Sequence, residues 1–265
     1  MRPKPPIESF PQHIAPAIER VMNRPPTDEA GEPILYCGKC QYGWIIEDGR
    51  ARRCPCNARR SVGMRQDRIE GLLARHRAGL TKKLSRVTAL TFLVRPGHEH
   101  IKRALDEYIR DLEQGRRYGF FIFGKTGVGK SYAAAYVINT VKFKRVMTAA
   151  MINFSRVLGA LRSTFKDEDE HNALLSVLYD TPLLAIDDLG MEQRVSETPD
   201  LSWAVSKFYE VIDYRRDNDL PTIITSNRTP DELAERLGEP IMTRIKNLTL
   251  RLDMKPISEE SDSWK

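Results

Sequence analysis

The chain alternates short, continuous apolar runs with longer stretches in which apolar side chains recur every three or four residues. Residues 118–123, Tyr-Gly-Phe-Phe-Ile-Phe, form one such run, and residues 182–186 and 220–225 form two more. Runs of this length suit strands covered on both faces, as in a parallel sheet. Residues 145–149 read as a further strand, and the alternating stretch 248–252 reads as the last one. Helical spacing fills the gaps. In residues 98–113, Ile101, Leu105, Tyr108, Ile109 and Leu112 share one face. In residues 153–165 the face is Phe154, Val157, Leu158, Leu161 and Phe165, and in 201–216 it is Trp203, Val205, Phe208, Val211 and Ile212. Residues 132–141, 172–179, 230–237 and 241–246 complete the set, with Thr229 placed to cap the helix at 230. The acidic run 166–170 reads as a solvated loop, and His98 and His100 read as surface residues at a helix start. Strands alternating with helices predict an α/β domain built on a parallel sheet.

The first third of the chain has a different pattern. Residues 1–34 carry eight prolines and have room for only a short helix at 14–23. Residues 43–46 and 51–53 read as two strands joined at Asp48-Gly49, a pair that readily takes positive φ. All four cysteines flank this hairpin, as Cys37-x-x-Cys40 and Cys54-x-Cys56. Two pairs brought together by a hairpin are the usual construction of a tetrahedral zinc site with four thiolate ligands, and so small a hairpin needs the metal for stability. Two disulfides or four thiols are the alternatives, and a reducing compartment disfavours disulfides.

Charge adds a second distinction. The chain carries a formal +6, yet residues 50–86 alone hold twelve Lys and Arg against Asp67 and Glu70. A concentrated basic stretch suits a polyanion such as nucleic acid, the other reading being a solvated helix face. The expected organisation is a proline-rich segment (1–34), a zinc module (35–60), a basic helical linker (61–87), the α/β domain (88–256) and a loose tail (257–265). No apolar run is long enough to span a bilayer and no signal peptide is visible, so no membrane partner and a cytoplasmic location are expected.

The chemistry concentrates behind the first strand. Gly124-Lys125-Thr126-Gly127-Val128-Gly129-Lys130-Ser131 fits the phosphate-loop pattern at every fixed position, and it lies between a strand and a helix. Backbone N–H groups there can turn around phosphate oxygens at a helix N-terminus. Lys130 would reach the β- and γ-phosphates of ATP, and the Ser131 hydroxyl would ligate Mg²⁺. The strand at 182–186 runs into Asp187-Asp188. Asp187 is the candidate Mg²⁺ ligand, and Asp188 the group that orients or deprotonates the attacking water. Asn227, at the end of the strand at 220–225, could hold that water, or could serve a plain turn.

These blocks together resemble the AAA+ ATPases of the DnaC/DnaI helicase-loader and IstB-like group. The matching residues are Thr91-Phe92, Phe123 to Ser131, Leu183 to Gly190, Tyr209 to Arg215, Pro221 to Asn227 and Leu237 to Arg244, within residues 88–253. The cysteine module resembles the N-terminal zinc element of many loader-like proteins. The resemblance implies an AAA+ P-loop fold, ATP hydrolysis, Asn227 as sensor 1, and Arg244 as an arginine finger acting on the nucleotide of a neighbouring subunit. It also implies assembly into a ring or spiral with ATP bound, and loading of a hexameric replicative helicase onto single-stranded DNA. The helices between Asn153 and Tyr179 lie where the family lines a DNA path. Pro240 stands where an arginine often precedes the finger, and no sensor 2 arginine is assigned. A transposition helper of the IstB type shares the core, and a zinc-dependent adaptor using ATP only as a switch is a third reading.

Overall fold

A computed structural model describes residues 44–47, 50–92, 98–190 and 199–254. The expected helix at 14–23, the turn at Asp48-Gly49, Cys37, Cys40 and the tail from 257 lie outside the described residues. The chain divides into two compact units, residues 1–64 and 65–265.

In the first unit, β1 (Trp44–Glu47) and β2 (Arg50–Arg53) pair antiparallel, with Trp44 opposite Arg53 and Glu47 opposite Arg50. Cys54 comes directly after β2 and is buried. The helix α1 (Pro55–Arg75) begins at the next residue. Proline suits the first helical position, where its missing N–H costs nothing. Cys56 therefore sits in the first turn of α1.

The second unit begins partway along α1. A five-stranded sheet forms its centre, with β3 (Gly119–Phe123), β4 (Ala149–Asn153), β5 (Leu183–Leu189), β6 (Thr222–Ser226) and β7 (Thr249–Asp253). The order is β4-β5-β6-β3-β7, and every neighbouring pair is parallel. The helices are α2 (Glu99–Glu113), α3 (Lys130–Phe143), α4 (Phe154–Ser163), α5 (Glu168–Asp180), α6 (Pro199–Asp217), α7 (Pro230–Leu237) and α8 (Glu239–Leu248). Because strand side chains alternate faces, the sheet supports two cores. Phe120, Ile122, Ala149 and Ala185 join the cluster built with α2 and α3. Phe121, Phe123, Ile152 and Ile186 join the cluster built with α4 to α8. The stretch expected as a linker contributes to this second core through Ile69, Leu72, Leu73 and Ala78. Gln66 caps the open edge of the sheet by donating to the Ala149 carbonyl and accepting from its N–H, at 2.8 and 2.9 Å.

Several expectations shift in the structure. The strand expected at 145–149 begins only at Ala149. Arg145 takes φ 51, and the N–H groups of Lys144, Arg145 and Val146 turn back to carbonyls at the end of α3. Helix closure therefore takes Arg145 and Val146, and the Thr148 carbonyl is the first to meet the sheet, accepting from the Leu183 N–H at 3.2 Å. The acidic run 166–170 is a loop only at Lys166 and Asp167. The Asp167 side chain accepts from the Glu170 N–H, and Glu168, Asp169 and Glu170 form the first turn of α5. Negative charge at a helix N-terminus is favourable there. His98 is also not a surface residue: it precedes α2 with 7% of its surface exposed, whereas His100 is exposed.

Arg215 is the least expected core residue, with no exposed surface. It donates to Thr222 Oγ1 at 2.8 Å and to the carbonyls of Leu178, Tyr179, Thr181 and Pro221 at 2.9–3.2 Å. One side chain thus ties the end of α5 to the entry of β6. Replacement by methionine fills most of the volume but leaves several buried acceptors without donors. Arg215→Met is expected to destabilise the unit by about 3–5 kcal/mol. Urea unfolding should show a lower midpoint with an unchanged slope.

Candidate nucleotide site

The site is assembled at the C-terminal ends of β3, β5 and β6. The loop leaving β3 must pass close to the end of the last strand. A Cβ on Gly124 would sit 2.2 Å from the Met254 carbonyl oxygen, so only glycine fits. At the other end of the loop, Gly129 takes φ 103 and opens α3 directly at Lys130. No side chain caps this helix start, which leaves its N–H groups for an anion.

Lys130 folds back across the loop and donates to the carbonyls of Gly124 and Lys125, at 2.9 and 2.8 Å. It is buried, and burial pushes its ammonium pKa down against the opposing pull of Asp188 and Asp187. An arriving phosphate would offer this cation better partners than two backbone carbonyls.

Asp187 and Asp188 lie within β5, which continues to Leu189. Pairing with β6 is irregular between Ile186 and Leu189, and Asp188 takes φ 59. This bulge directs the two carboxylates differently. Asp187 is buried against the sheet end, and Asp188 faces a cavity beside the loop. The Thr225 hydroxyl joins them, accepting from the Asp188 N–H at 3.0 Å and donating to Asp187 Oδ1 at 2.6 Å. Asp187 is also hydrogen-bonded by Ser131. Burial pushes its pKa up, and the neighbouring Asp188 charge adds to that, while Thr225, Ser131 and Lys130 act the other way. A hydroxyl beside a carboxylate is an oxygen donor set that fits Mg²⁺, which retains several waters when bound.

The cavity has a volume of about 750 Å³. Thr126 to Ser131, Asp188 and Asn227 line one part of it. Lys83, Thr91, Phe92, His98, Ile101 and Met254 line the rest. Phe92 is held by stacking on Tyr136, with centroids 4.7 Å apart. Asn227 comes directly after β6, and its neighbour Ser226 donates to the Leu189 carbonyl at 2.7 Å, tying the ends of β5 and β6 together. Where the loop leaves β3, Gly124 approaches Met254, and the Gly124 and Lys125 carbonyls hold Lys130. The structure thus brings Lys130, Ser131, Asp187, Asp188 and Asn227 around one space. Arg244 lies elsewhere, among Asp213, Tyr209 and Pro240. Cys54 belongs to the other unit, and Cys37 and Cys40 are outside the described residues. Among the described residues, no cluster of three or more His, Cys, Asp and Glu is placed to hold a metal ion.

Some lining residues carry little signal in the sequence. Thr225, behind the lining, reads as an ordinary strand residue, and its bonds to Asp187 and Asp188 arise only from the pairing of β5 with β6. His98, Ile101 and Met254 line the cavity only because the chain segments before β3 and after β7 converge on the loop. No local pattern announces this.

Residues 120–248 match the family model described as "ATPase family associated with various cellular activities (AAA)". The replicative helicase loader DnaI of Bacillus subtilis is 28% identical over 135 residues, which are 51% of this chain and 40% of DnaI. The replicative helicase loader DnaC of Escherichia coli is 27% identical over 146 residues, 53% of this chain and 54% of DnaC. These matches span only about half the length of the two relatives. A crystal structure of DnaI superposes with a TM-score of 0.56 at 25% identity, covering 66% of this chain and 94% of that one. Among the described residues no helix is long and apolar enough to cross a membrane. The five-stranded parallel sheet with its phosphate loop is the AAA+ fold, residues 120–248 carry the match to the AAA family model, and this part of the chain is homologous to the helicase loaders DnaI and DnaC.

Proposed function

We propose that this protein is an ATP-hydrolysing loader of a hexameric replicative helicase onto single-stranded DNA, acting as a ring or spiral assembled with ATP bound. The observation that carries the reading is the separation of Arg244 from an otherwise complete set of nucleotide-site residues, in a chain homologous to helicase loaders.

Within one chain, the loop N–H groups and Lys130 bind and orient the triphosphate. Ser131 and Asp187 hold Mg²⁺, which neutralises charge on the β- and γ-phosphate oxygens when bound. Asp188 orients the attacking water and takes its proton, and Asn227 holds that water against the γ-phosphate. Arg244 of a neighbouring copy stabilises the charge that develops on the leaving oxygens. Turnover therefore requires assembly, and a lone chain is a slow ATPase. ATP state would then time the hold and release of the helicase. The basic segment supplies salt-dependent contact with single-stranded DNA, without strong sequence preference.

The N-terminal region is the proposed helicase-binding part, with zinc held by Cys37, Cys40, Cys54 and Cys56. Four thiolates suit Zn²⁺, and the antiparallel β1–β2 pairing returns the chain so that Cys54 comes directly after the partner of Trp44. Protein purified without chelator should carry one zinc per chain by metal analysis, and Cys54→Ser should lose it. A metal-free chain with all four thiols titratable contradicts the assignment.

Gel filtration with a hexameric replicative helicase, with and without ATP, tests the function itself. An active ATPase that ignores the helicase would favour the transposition-helper reading.

A further inference from the structure

Arg244 sits on α8 with its side chain one-fifth exposed. Three groups of its own chain hold the guanidinium. Asp213 accepts from Nε at 2.5 Å, the Tyr209 hydroxyl accepts from Nη2, and the Pro240 carbonyl accepts from Nη1 at 3.0 Å. The Tyr209 ring lies against it, 4.3 Å from centroid to guanidinium carbon. Asp213 is itself fixed by Arg216 at 2.9 Å, one turn further along α6. Arg244 holds the Asp213 carboxyl below its usual range, with Arg216 adding to the effect, so the carboxylate stays charged.

A guanidinium carries five N–H donors in a rigid plane. These three bonds use Nε and one hydrogen on each terminal nitrogen. One N–H on each of Nη1 and Nη2 is left, and such a pair matches two phosphate oxygens. We propose that Asp213 and Tyr209 are positioning residues that preset Arg244 as a two-pronged donor for the triphosphate of a second copy of this chain. The inference rests on the reading that Arg244 acts in trans. A long side chain on an open surface would otherwise have to give up its rotamer freedom during each catalytic encounter. Here α6 and α8 fix it beforehand, and the cation–π contact keeps the plane from rotating.

Mixed assemblies test this. An Arg244→Ala chain keeps its own phosphate loop but lacks the donor. An Asp188→Asn chain lacks turnover but keeps ATP binding and the donor. Mixing them should restore ATP turnover in the Arg244→Ala sites. The donor chain is then changed further. Asp213→Ala in the Asp188→Asn background should lower the restored kcat about tenfold or more at saturating ATP, with KM unchanged. Asp213→Asn keeps an acceptor for Nε and should recover part of the loss, and Tyr209→Phe should show a smaller, severalfold drop. Thermal unfolding of each donor chain checks that it is folded, and the last two changes are mild enough to serve if Asp213→Ala is not. Restoration by the Asp213→Ala and Tyr209→Phe donors equal to or above that of the parent donor overturns the inference and leaves the in-trans reading standing. No restoration by the parent Asp188→Asn donor removes both.

Discussion

Replacing Arg244 by alanine should reduce ATP turnover of the assembled protein by about 10³-fold or more, with little change in nucleotide affinity of the single chain. An arginine supplied to a phosphoryl-transfer site by another subunit contributes on that scale, because it meets charge that appears only in the transition state. The geometry explains why affinity should survive. Arg244 bonds Asp213, Tyr209 and Pro240 of its own chain and does not line the cavity formed by the phosphate loop. Steady-state turnover at several protein concentrations, beside nucleotide binding by fluorescence, separates the two effects. The parent protein should show turnover per chain that rises with concentration, and the variant should stay near the level of the isolated chain. A variant with weakened nucleotide binding and unchanged concentration dependence would place Arg244 in a structural role.

Asp188→Asn should lower turnover by about 10²–10⁴-fold, the range associated with loss of a positioned base or water-orienting group. The variant is well suited to the backbone. Asp188 takes φ 59, and asparagine is among the few side chains that accept the left-handed region easily. The Asp188 N–H bond to Thr225 and the Thr225 bond to Asp187 use no atom of the Asp188 carboxylate, so the Mg²⁺ ligands should stay in place. ATP binding and ATP-dependent assembly should therefore persist in a protein that no longer turns over. Single-turnover kinetics with preloaded ATP is the measurement that isolates the step. Loss of ATP binding in this variant would instead assign Asp188 to metal or phosphate binding.

Much of this fold is legible in the sequence because buried parallel strands carry unbroken apolar runs. Residues 118–123, 182–186 and 220–225 stand out for that reason, and the glycine loop marks the turn from the first of them into α3. Local pattern fails where a chain reversal or a long-range partner decides. Val146 is strand-like, yet the left-handed turn at Arg145 spends its N–H on closing α3, and the strand is assigned only from Ala149. Asp167 reads as a solvated loop residue until its side chain is seen capping α5. Arg215 looks like its half-buried neighbour Arg216, because nothing nearby in sequence shows that four carbonyls from α5 and the entry to β6 converge on it. The candidate site divides in the same way. Gly124 to Ser131 and Asp187-Asp188 are contiguous motifs, and so can be read directly. The bulge that sends Asp188 into the cavity and the Thr225 bridge come from pairing between β5 and β6. His98 joins the lining through the approach of α2, which its polar neighbours do not foretell.

The most direct test of the loader reading is gel filtration of this protein with a hexameric replicative helicase from the same cell. Runs with ATP, with the Asp188→Asn chain and ATP, and without nucleotide would be compared. The expected result is a complex that depends on ATP and persists longest with Asp188→Asn, which binds but does not hydrolyse. Separate elution of helicase and this protein under all three conditions would contradict it.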